Sequence, residues 1–214
     1  FNSEKFLDSA IASVISQEGN FEIKYHIQDG GSTDSTIKKL ESWKRLIEST
    51  SFPLIRCRKV HFSFSTDHDN GMYDAISKGM QVLAPRPNDI MCWLNSDDVF
   101  LGGAFATAFN IFKSNSETSW IINPVSACDS EQKQLSYMQV HYPVDIISAG
   151  LCMHRSWRFI QQEGTFWRAQ LWKKVSGLSS DLKLAGDWDL WRRFAKFSEP
   201  VHVEWPLAQF RIHE

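Results

Sequence analysis

An apolar run that ends in an amide, a hydroxyl and two adjacent carboxylates is the feature of this sequence that most directly suggests chemistry. The run covers residues 91–94, and Asn95, Ser96, Asp97 and Asp98 follow it. A carboxylate is costly to bury unless something compensates it. Paired carboxylates are hard oxygen ligands for Mn²⁺ or Mg²⁺, which keep several waters and bind substrate phosphates. The alternative is that Ser96, Asp97 or Asp98 caps the next helix.

Three further clusters combine acidic residues with glycine, and each has an ordinary structural interpretation beside the functional one. They are Asp29-Gly30-Gly31-Ser32, the string 67–71 with Asp74 and Lys78, and Gly186-Asp187-Trp188-Asp189. The first suits any tight turn between a strand and a helix, and it matches neither a P-loop nor GxGxxG. Asp74 and Lys78 have the spacing of a helical ion pair. Asp187 and Asp189 would also suit a helix cap.

The elements that must position these clusters follow from the spacing of apolar residues. Helical spacing covers residues 6–15, 37–47, 72–80 and 105–112, and strands are predicted at 23–27, 54–57, 90–94 and 120–122. Beyond about residue 130, aromatic loops are predicted, with helices only near 168–175 and 187–197. This order predicts an α/β fold with a mostly parallel sheet and helices on both faces. Ligands bind at the carboxyl ends of such strands, so Asp29 and Asp97 are expected in one crevice.

Composition narrows the class of protein. With 214 residues, 43% of them hydrophobic, and a net charge of -2, the chain is expected to form one domain without affinity for nucleic acid. It shows no apolar run of about 18 residues and no charged region followed by an apolar one at its start, so neither a membrane span nor a signal peptide is predicted. The four cysteines, Cys57, Cys92, Cys128 and Cys152, form no CxxC pair and are predicted to be reduced thiols. The start at Phe1 looks like the middle of an element, which predicts a trimmed sequence.

Taken in order, the clusters resemble glycosyltransferase family 2, the inverting nucleotide-sugar transferases of the GT-A type. The matching pieces are FNSEKFLDSAIASVISQ, QDGGSTDST, DHDNGMYDAISKGM, CWLNSDD, EGTFWRAQLWKKV and AGDWDLWRRF, and they span nearly the whole chain. The resemblance implies a single GT-A domain over residues 1–214. Its nucleotide-sugar-binding half would cover 1–125 and its acceptor-side half 126–214, with the first strand of the fold lying before Phe1.

The resemblance also implies roles for individual residues. Asp29 would contact the uracil or thymine base of the donor, and Asp97 would hold the metal ion as the last acid of the family's Asp-x-Asp motif. Asp98 would support Asp97, and Asn95 stands where many members carry the first Asp. The family segment that lines the donor pocket matches Asp69, Gly71, Asp74 and Lys78.

On the acceptor side, the resemblance makes Asp187 the general base, with Gly186 in place of the usual Glu. Trp157 or Trp167 would form a platform for the acceptor sugar, although core packing is the preferred interpretation for most of the aromatic residues. His154 and His213 would add a metal contact, but a lone His is more often structural. Arg155 and Arg158 would meet a lipid-linked diphosphate or face water.

The implied activity is metal-dependent, inverting sugar transfer from a nucleotide-sugar, with UDP-hexoses as the default and dTDP-sugars next. The acceptor would be a hydroxyl of a saccharide or a lipid-linked molecule in bacterial cell-surface polysaccharide synthesis. The expected location is the cytoplasm, including peripheral association with the inner face of the membrane. A nucleotidyltransferase of similar fold and a non-catalytic nucleotide-sugar-binding module remain alternatives. A metal-dependent phosphohydrolase would explain the acids but not the string 67–79.

Overall fold

Helices and strands alternate in the first half of the chain and give way to shorter elements in the second. The computed structural model describes residues 1–49, 52–153, 157–179 and 181–213. The elements in chain order are α1 (Leu7–Ile15), β1 (Gly19–Asp29), α2 (Thr36–Glu48), β2 (Cys57–Thr66), α3 (Met72–Leu83), β3 (Ile90–Met91), β4 (Val99–Phe100), α4 (Ala104–Ser114), β5 (Trp120–Ile122), β6 (Val125–Cys128), β7 (Gln134–Met138), α5 (Val144–Ser148), β8 (Phe166–Arg168), α6 (Ala169–Lys174), α7 (Gly186–Ala195), β9 (Val201–His202) and β10 (Ala208–Arg211).

The described strands form three sheets. β1 and β2 pair in parallel, and Asp29 lies opposite Thr66 at their carboxyl ends. The other sheets have the orders β4-β10-β6-β7 and β3-β8-β5-β9, and both mix parallel with antiparallel pairs. The α/β class is therefore confirmed, but the pairing is more mixed than the mostly parallel sheet predicted. The difference arises because β8 and β10 of the second half return antiparallel to β3 and β4.

Both faces of β1 are covered by helices, as predicted. Successive side chains of a strand point to opposite faces. Ile23 and Ile27 face a core that also contains apolar residues of α1, α2 and α4. On the other face, a Cβ placed on Gly79 of α3 would lie 3.5 Å from the His26 ring. α3 therefore packs directly against this face of β1, and a Cβ at position 79 would make an ordinary van der Waals contact there.

A second core is built around tryptophans. Trp93 stacks on Trp191 with the ring planes 8° apart and the centroids 5.7 Å apart. Trp167, which is 0% exposed, packs edge-on against both rings. Aromatic rings bury large areas and fix the elements that carry them. This cluster joins the segment that leads to Asp97 with α7, which carries Asp187.

Some elements differ from the prediction. The strand predicted at 54–57 is wrong, because β2 begins at Cys57 and runs to Thr66 with Val60 and Phe62 facing the core. In the second half, α5 and the strands β6, β7, β8, β9 and β10 were not predicted, because runs of two to five residues are too short to show a period. All four cysteines are free, as predicted.

No helix within the described residues has both the length and the apolar character needed to cross a membrane.

Candidate active site

The carboxyl ends of β1 and β2 bring two of the predicted clusters together. The hydroxyl of Thr66 donates to Asp29 Oδ2 at 2.7 Å, and Asp67 N donates to Asp29 O at 3.0 Å. A Cβ on Gly30 would lie 2.5 Å from Asp69 Oδ2. The turn after β1 and the loop after β2 therefore touch, and a side chain at position 30 would displace the carboxylate of Asp69.

Asp29 organises its own turn. It is 2% exposed, and it accepts hydrogen bonds from Gly31 N, Ser32 N and the hydroxyl of Ser32 at 2.9, 2.8 and 2.5 Å. Burial alone would raise the pKa of Asp29, but these bonds and the one from Thr66 outweigh it and lower the pKa. The carboxylate is thus charged at neutral pH, and most of its acceptor capacity is used within the protein.

The loop after β2 is held by its own acids. Asp69 Oδ1 accepts a hydrogen bond from Gly71 N at 2.9 Å, and Gly71 has a φ of 114°, which favours glycine. Asp74 accepts a hydrogen bond from Asn70 N at 2.9 Å and forms an ion pair with Lys78 at 2.9 Å. The Asn70 hydrogen bond and then the Lys78 ammonium lower the pKa of Asp74. The predicted helical ion pair is present, and it shapes the start of α3.

Asp97 lies beside His213, which is 116 residues away along the chain. Asp97 Oδ2 and His213 Nε2 are 2.9 Å apart, and the side chains are 35% and 36% exposed. No helix starts here, because β4 follows directly and α4 begins only after Gly103, without a side-chain cap. The capping alternative for residues 96–98 is therefore wrong.

Asp98 and Glu163 form a buried pair of carboxyl groups behind Asp97. They are 0% and 4% exposed. The amide of Asn95 donates to Asp98 Oδ2 at 3.1 Å and to Glu163 Oε1 at 3.4 Å. Burial, and then the charge of Asp98, raise the pKa of Glu163 well above its ordinary range, and burial also raises the pKa of Asp98. Both carboxyl groups thus hold a proton more strongly than a free carboxyl group does, and the pKa of Glu163 is raised the more strongly of the two.

Asp187 contacts α3, the helix that follows the loop after β2. The hydroxyl of Tyr73 in α3 donates to Asp187 Oδ1 at 3.0 Å. Burial, and then the charge of Asp187, raise the pKa of Tyr73 to about 12, so the hydroxyl keeps its proton at neutral pH. α7 begins after Ala185 without a side-chain cap, so the capping alternative for Asp187 and Asp189 is also wrong. Asp189 instead pairs with Arg193 at 2.8 Å.

The structure gives a physical reason for glycine at position 186, where the family usually has Glu. A Cβ at this position would lie 2.9 Å from the Tyr73 ring. Any larger residue would push the ring away, and Tyr73 could then no longer reach Asp187 in the same geometry. Glycine at position 186 therefore leaves room for the Tyr73 ring in the position from which its hydroxyl binds Asp187.

The segment before α1 connects the turn of Asp29 with the loop of Asp97. Asn2 N donates to the Ser32 hydroxyl at 2.7 Å, and the hydroxyls of Ser3 and Ser96 are 2.7 Å apart. Ser32 also donates to Asp29. A chain of hydrogen bonds thus runs from the turn of Asp29 to the loop of Asp97. Together with the Tyr73–Asp187 bond and the Trp93–Trp191 stack, it connects all four predicted clusters through contacts of neighbouring residues.

A cleft of about 660 Å³ lies along one face of α3. Its other wall is formed by Trp172, Lys173, residues 176–179, Leu182 and Lys183. Tyr73 is among the α3 residues that line it, so one end of the cleft reaches the hydrogen-bond partner of Asp187. Trp172, Lys173 and Lys183 give this wall one aromatic ring and two cations.

The acceptor platform predicted at Trp167 is not present. Trp167 is 0% exposed and stacks on Trp172 within the second core, so no sugar can reach its face. Trp157 is half-buried against the same core. Arg158 is exposed, in agreement with the water-facing alternative. The predictions for His154 and Arg155 concern residues outside the described part of the chain.

Three residues of this region were not assigned from the sequence: Tyr73, Glu163 and Arg211. A metal contact was considered for His213, but a structural role was preferred there. Tyr73 and Glu163 lie inside pieces that carry the resemblance, DHDNGMYDAISKGM and EGTFWRAQLWKKV. The resemblance implied a role for neither residue. Arg211 and His213 are two residues apart at the end of an alternating pattern, AQFRIH, which is the signal that one strand presents both on the same side.

No three His, Cys, Asp or Glu side chains among the described residues come together as a ready-made metal site. Two side chains, Asp97 and His213, remain as candidate ligands. Mn²⁺ and Mg²⁺ use few protein ligands when waters and substrate phosphates complete the shell. The donor set therefore fits a cation that binds together with a diphosphate.

Comparisons with known proteins agree with the fold. No curated protein matches the chain. The crystal structure of S. aureus TarS 1-349 aligns with a TM-score of 0.65 at 14% identity, over 95% of this chain and 56% of that one. The crystal structure of S. aureus TarS aligns with a TM-score of 0.68 at 14% identity, over 99% of this chain and 35% of that one. The chain thus spans about a third to a little over half of these structures.

These likenesses confirm the predicted GT-A type α/β fold. The model of the family described as Glycosyl transferase family 2 matches residues 1–169. Because this match covers well over half of the sequence, the chain belongs to glycosyl transferase family 2.

Proposed function

We propose that the protein transfers a sugar from a nucleotide-sugar, with a UDP-hexose as the default donor, to a hydroxyl of a saccharide or lipid-linked acceptor with inversion at the anomeric carbon. The observation that carries this proposal is the hydrogen bond from Tyr73 to Asp187. It holds a half-buried carboxylate beside the helix that follows the donor loop. A carboxylate in that place is suited to remove a proton from an incoming hydroxyl.

On the donor side, we assign contact with the nucleotide to the turn of Asp29 and the loop of Asp69 and Gly71. The touching turns give this contact a fixed shape, and the buried, charged carboxylate of Asp29 supports it by holding its own turn. Asp74 and Lys78 are paired with each other, and Lys78 also donates to His68 O at 3.0 Å. Their part in donor binding is therefore to hold the loop in shape.

Asp97 and His213 would hold the Mn²⁺ or Mg²⁺ ion, and Asn95 and Asp98 would support them from behind. When bound, such a cation neutralises the charge that develops on the leaving nucleotide diphosphate. Asp98 is fully buried, so its role is to fix the loop rather than to contact the donor.

For the chemical step, Asp187 accepts the proton of the acceptor hydroxyl while that oxygen attacks the anomeric carbon from the face opposite the leaving group. General-base catalysis of this kind contributes about 10²–10⁴-fold. Tyr73 fixes one oxygen of the carboxylate, and the other oxygen faces the acceptor. A single displacement inverts the anomeric configuration and needs no nucleophilic residue.

We place the acceptor in the cleft along α3. Its end at Tyr73 lies next to the proposed base, and Trp172 supplies an aromatic surface of the kind that packs against sugar rings. Lys173 and Lys183 would attract phosphate or carboxylate groups on the acceptor. This assignment replaces Trp167 as the expected sugar platform. Trp157 keeps no separate role in it.

A panel of nucleotide-sugars with and without Mn²⁺ tests the proposal. We expect a UDP-sugar to raise the unfolding temperature more with Mn²⁺ than without, because a ligand of the folded state stabilises it. Asp187→Asn should keep this shift and lose transfer by about 10²-fold or more. Asp97→Ala should remove the Mn²⁺ dependence of the shift.

Two outcomes would redirect the proposal. Wild-type transfer by Asp187→Asn would remove Asp187 from the base role. A new nucleotide-sugar with pyrophosphate as the product would indicate a nucleotidyltransferase, and donor binding without any turnover would indicate a binding module.

A further inference from the structure

Arg211 is almost fully buried, with 2% of its surface exposed. A buried guanidinium is costly unless its donors find partners. No salt bridge to a carboxylate is formed by this side chain within the described residues. Instead, Nε donates to Asp97 O at 2.6 Å, Nη1 donates to Asp129 O and Ser130 O at 3.1 and 3.0 Å, and Nη2 donates to Ser9 Oγ at 3.2 Å. One side chain thus ties together α1, the β6–β7 turn and the loop of Asp97.

The backbone of Arg211 is tied to the same loop. Its N–H donates to Asp98 Oδ1 at 2.8 Å. Two residues later, His213 Nε2 lies 2.9 Å from Asp97 Oδ2. The ring of Phe6 lies 4.6 Å from the guanidinium carbon and 5.1 Å from the His213 ring. The position of His213 relative to Asp97 is therefore set by contacts of Arg211 on both sides of the pair.

We propose that Arg211 is a positioning residue that holds Asp97 and His213 close enough to share a divalent cation. This inference rests on the metal site of the proposed function. Both candidate ligands are about one-third exposed, so they need a support that fixes the backbone beneath them. The guanidinium provides it by binding the Asp97 carbonyl oxygen and fixing the strand end that carries His213.

Arg168 offers a matched control. It is 9% exposed, and its guanidinium also binds carbonyl oxygens, those of Thr118 at 2.8 Å and Phe112 at 2.7 Å. It also lies over a phenylalanine ring, at 5.1 Å from Phe112. Arg168 shares burial, partners and ring contact with Arg211, but it has no contact with Asp97 or His213. Lysine at either site keeps the charge and loses the forked donor.

The test compares Arg211→Lys and Arg168→Lys by titration with Mn²⁺, following free Mn²⁺ by electron paramagnetic resonance with and without UDP. Unfolding temperatures are measured in parallel. We expect both variants to lose stability, and only Arg211→Lys to weaken Mn²⁺ binding, by about 10–100-fold. Equal Mn²⁺ affinity in the two variants, with wild type binding normally, would overturn the inference while leaving the proposed metal site intact.

Failure of the wild type to bind Mn²⁺ with UDP would instead reject the metal site itself, and the inference with it. If Arg211→Lys does not fold, Ser9→Ala removes one partner of the guanidinium and keeps the arginine. We expect it to weaken Mn²⁺ binding in the same direction by a few-fold, about what one hydrogen bond contributes. An unchanged Mn²⁺ affinity in Ser9→Ala would then overturn the inference.

Discussion

The hydroxyl of Tyr73 connects α3 to the proposed base, Asp187. Removing this hydroxyl alone tests whether Tyr73 positions the base or only packs against it. In Tyr73→Phe the ring keeps its place against Gly186, but Asp187 loses its hydrogen bond. Hydrogen bonds to charged groups are worth about 1.5–3 kcal/mol. We therefore expect turnover to fall by roughly tenfold or more, with the dissociation constant for the UDP-sugar unchanged. Steady-state kinetics and donor titration measure the two quantities.

Tyr142→Phe is the matched control for this prediction. Tyr142 is 2% exposed, and its hydroxyl donates to Phe159 O at 3.1 Å, so it also loses one hydrogen bond from a buried ring. It should lose similar stability and keep its turnover. Equal losses of turnover in the two variants would show that Tyr73 acts only through the stability of the fold.

At the level of residues, the sequence predicts acids better than their partners. Asp29, Asp97 and Asp187 stand out because each lies in a short acidic cluster, and the clusters follow one another in the order of the family's motifs. Tyr73 and His213 do not stand out, since a tyrosine in an amphipathic helix and a single histidine fit many roles. They become meaningful only through partners 114 and 116 residues away, and that separation is set by the fold.

Among the elements, α3 forms a wall of the cleft with one face only, which allows a test of the acceptor site. Gln81 lines the cleft, and its neighbour Val82 is 57% exposed outside it. Gln81 is eight positions beyond Tyr73, about 12 Å along the helix axis. We expect Gln81→Trp to raise the KM for an extended saccharide acceptor and leave UDP-sugar hydrolysis unchanged.

Val82→Trp adds the same ring to the same helix and should change neither quantity. Transfer to the acceptor and hydrolysis of the donor are measured in parallel for both variants. If Gln81→Trp transfers with the wild-type KM, the acceptor does not lie along this part of α3.

Most of the long elements were predictable, and most of the short ones were not. α3 and α4 contain three or more turns, so apolar residues such as Tyr73, Ile76 and Met80 recur often enough to define a face. β4 and β9 have two residues each, which is too short for any alternation. These strands exist because neighbouring chain segments supply their hydrogen bonds, and that information is not local.

For the molecule as a whole, the return of the chain end decides how the site is assembled. β10 pairs with β4 and with β6, and this pairing carries Arg211 and His213 to the loop of Asp97. The order of the elements was enough to predict the class of fold. It also predicted that the acids lie at the carboxyl ends of the strands. The contribution of the last strand did not, because its partners lie about 100 residues earlier in the chain.

The buried pair of Asp98 and Glu163 makes the stability of the whole molecule depend on pH. Burial and the charge of Asp98 raise the pKa of Glu163 above its ordinary value of 4.5. Above about pH 4.5 the unfolded chain releases this proton while the folded protein keeps it. The folded state then binds more protons than the unfolded state, so the free energy of unfolding falls as pH rises, until the pH passes the folded pKa.

Glu163→Gln should remove this part of the pH dependence, because the amide stays neutral and can still donate to Asp98. We expect the variant to be more stable than wild type at pH 8, with the difference shrinking as the pH approaches 4.5. Urea unfolding at several pH values measures it, with Glu41→Gln on the exposed side of α2 as the control for losing a surface carboxylate. A difference that grows towards low pH would mean that Glu163 is held as a carboxylate, and the loop of Asp97 would then carry one more negative charge at neutral pH.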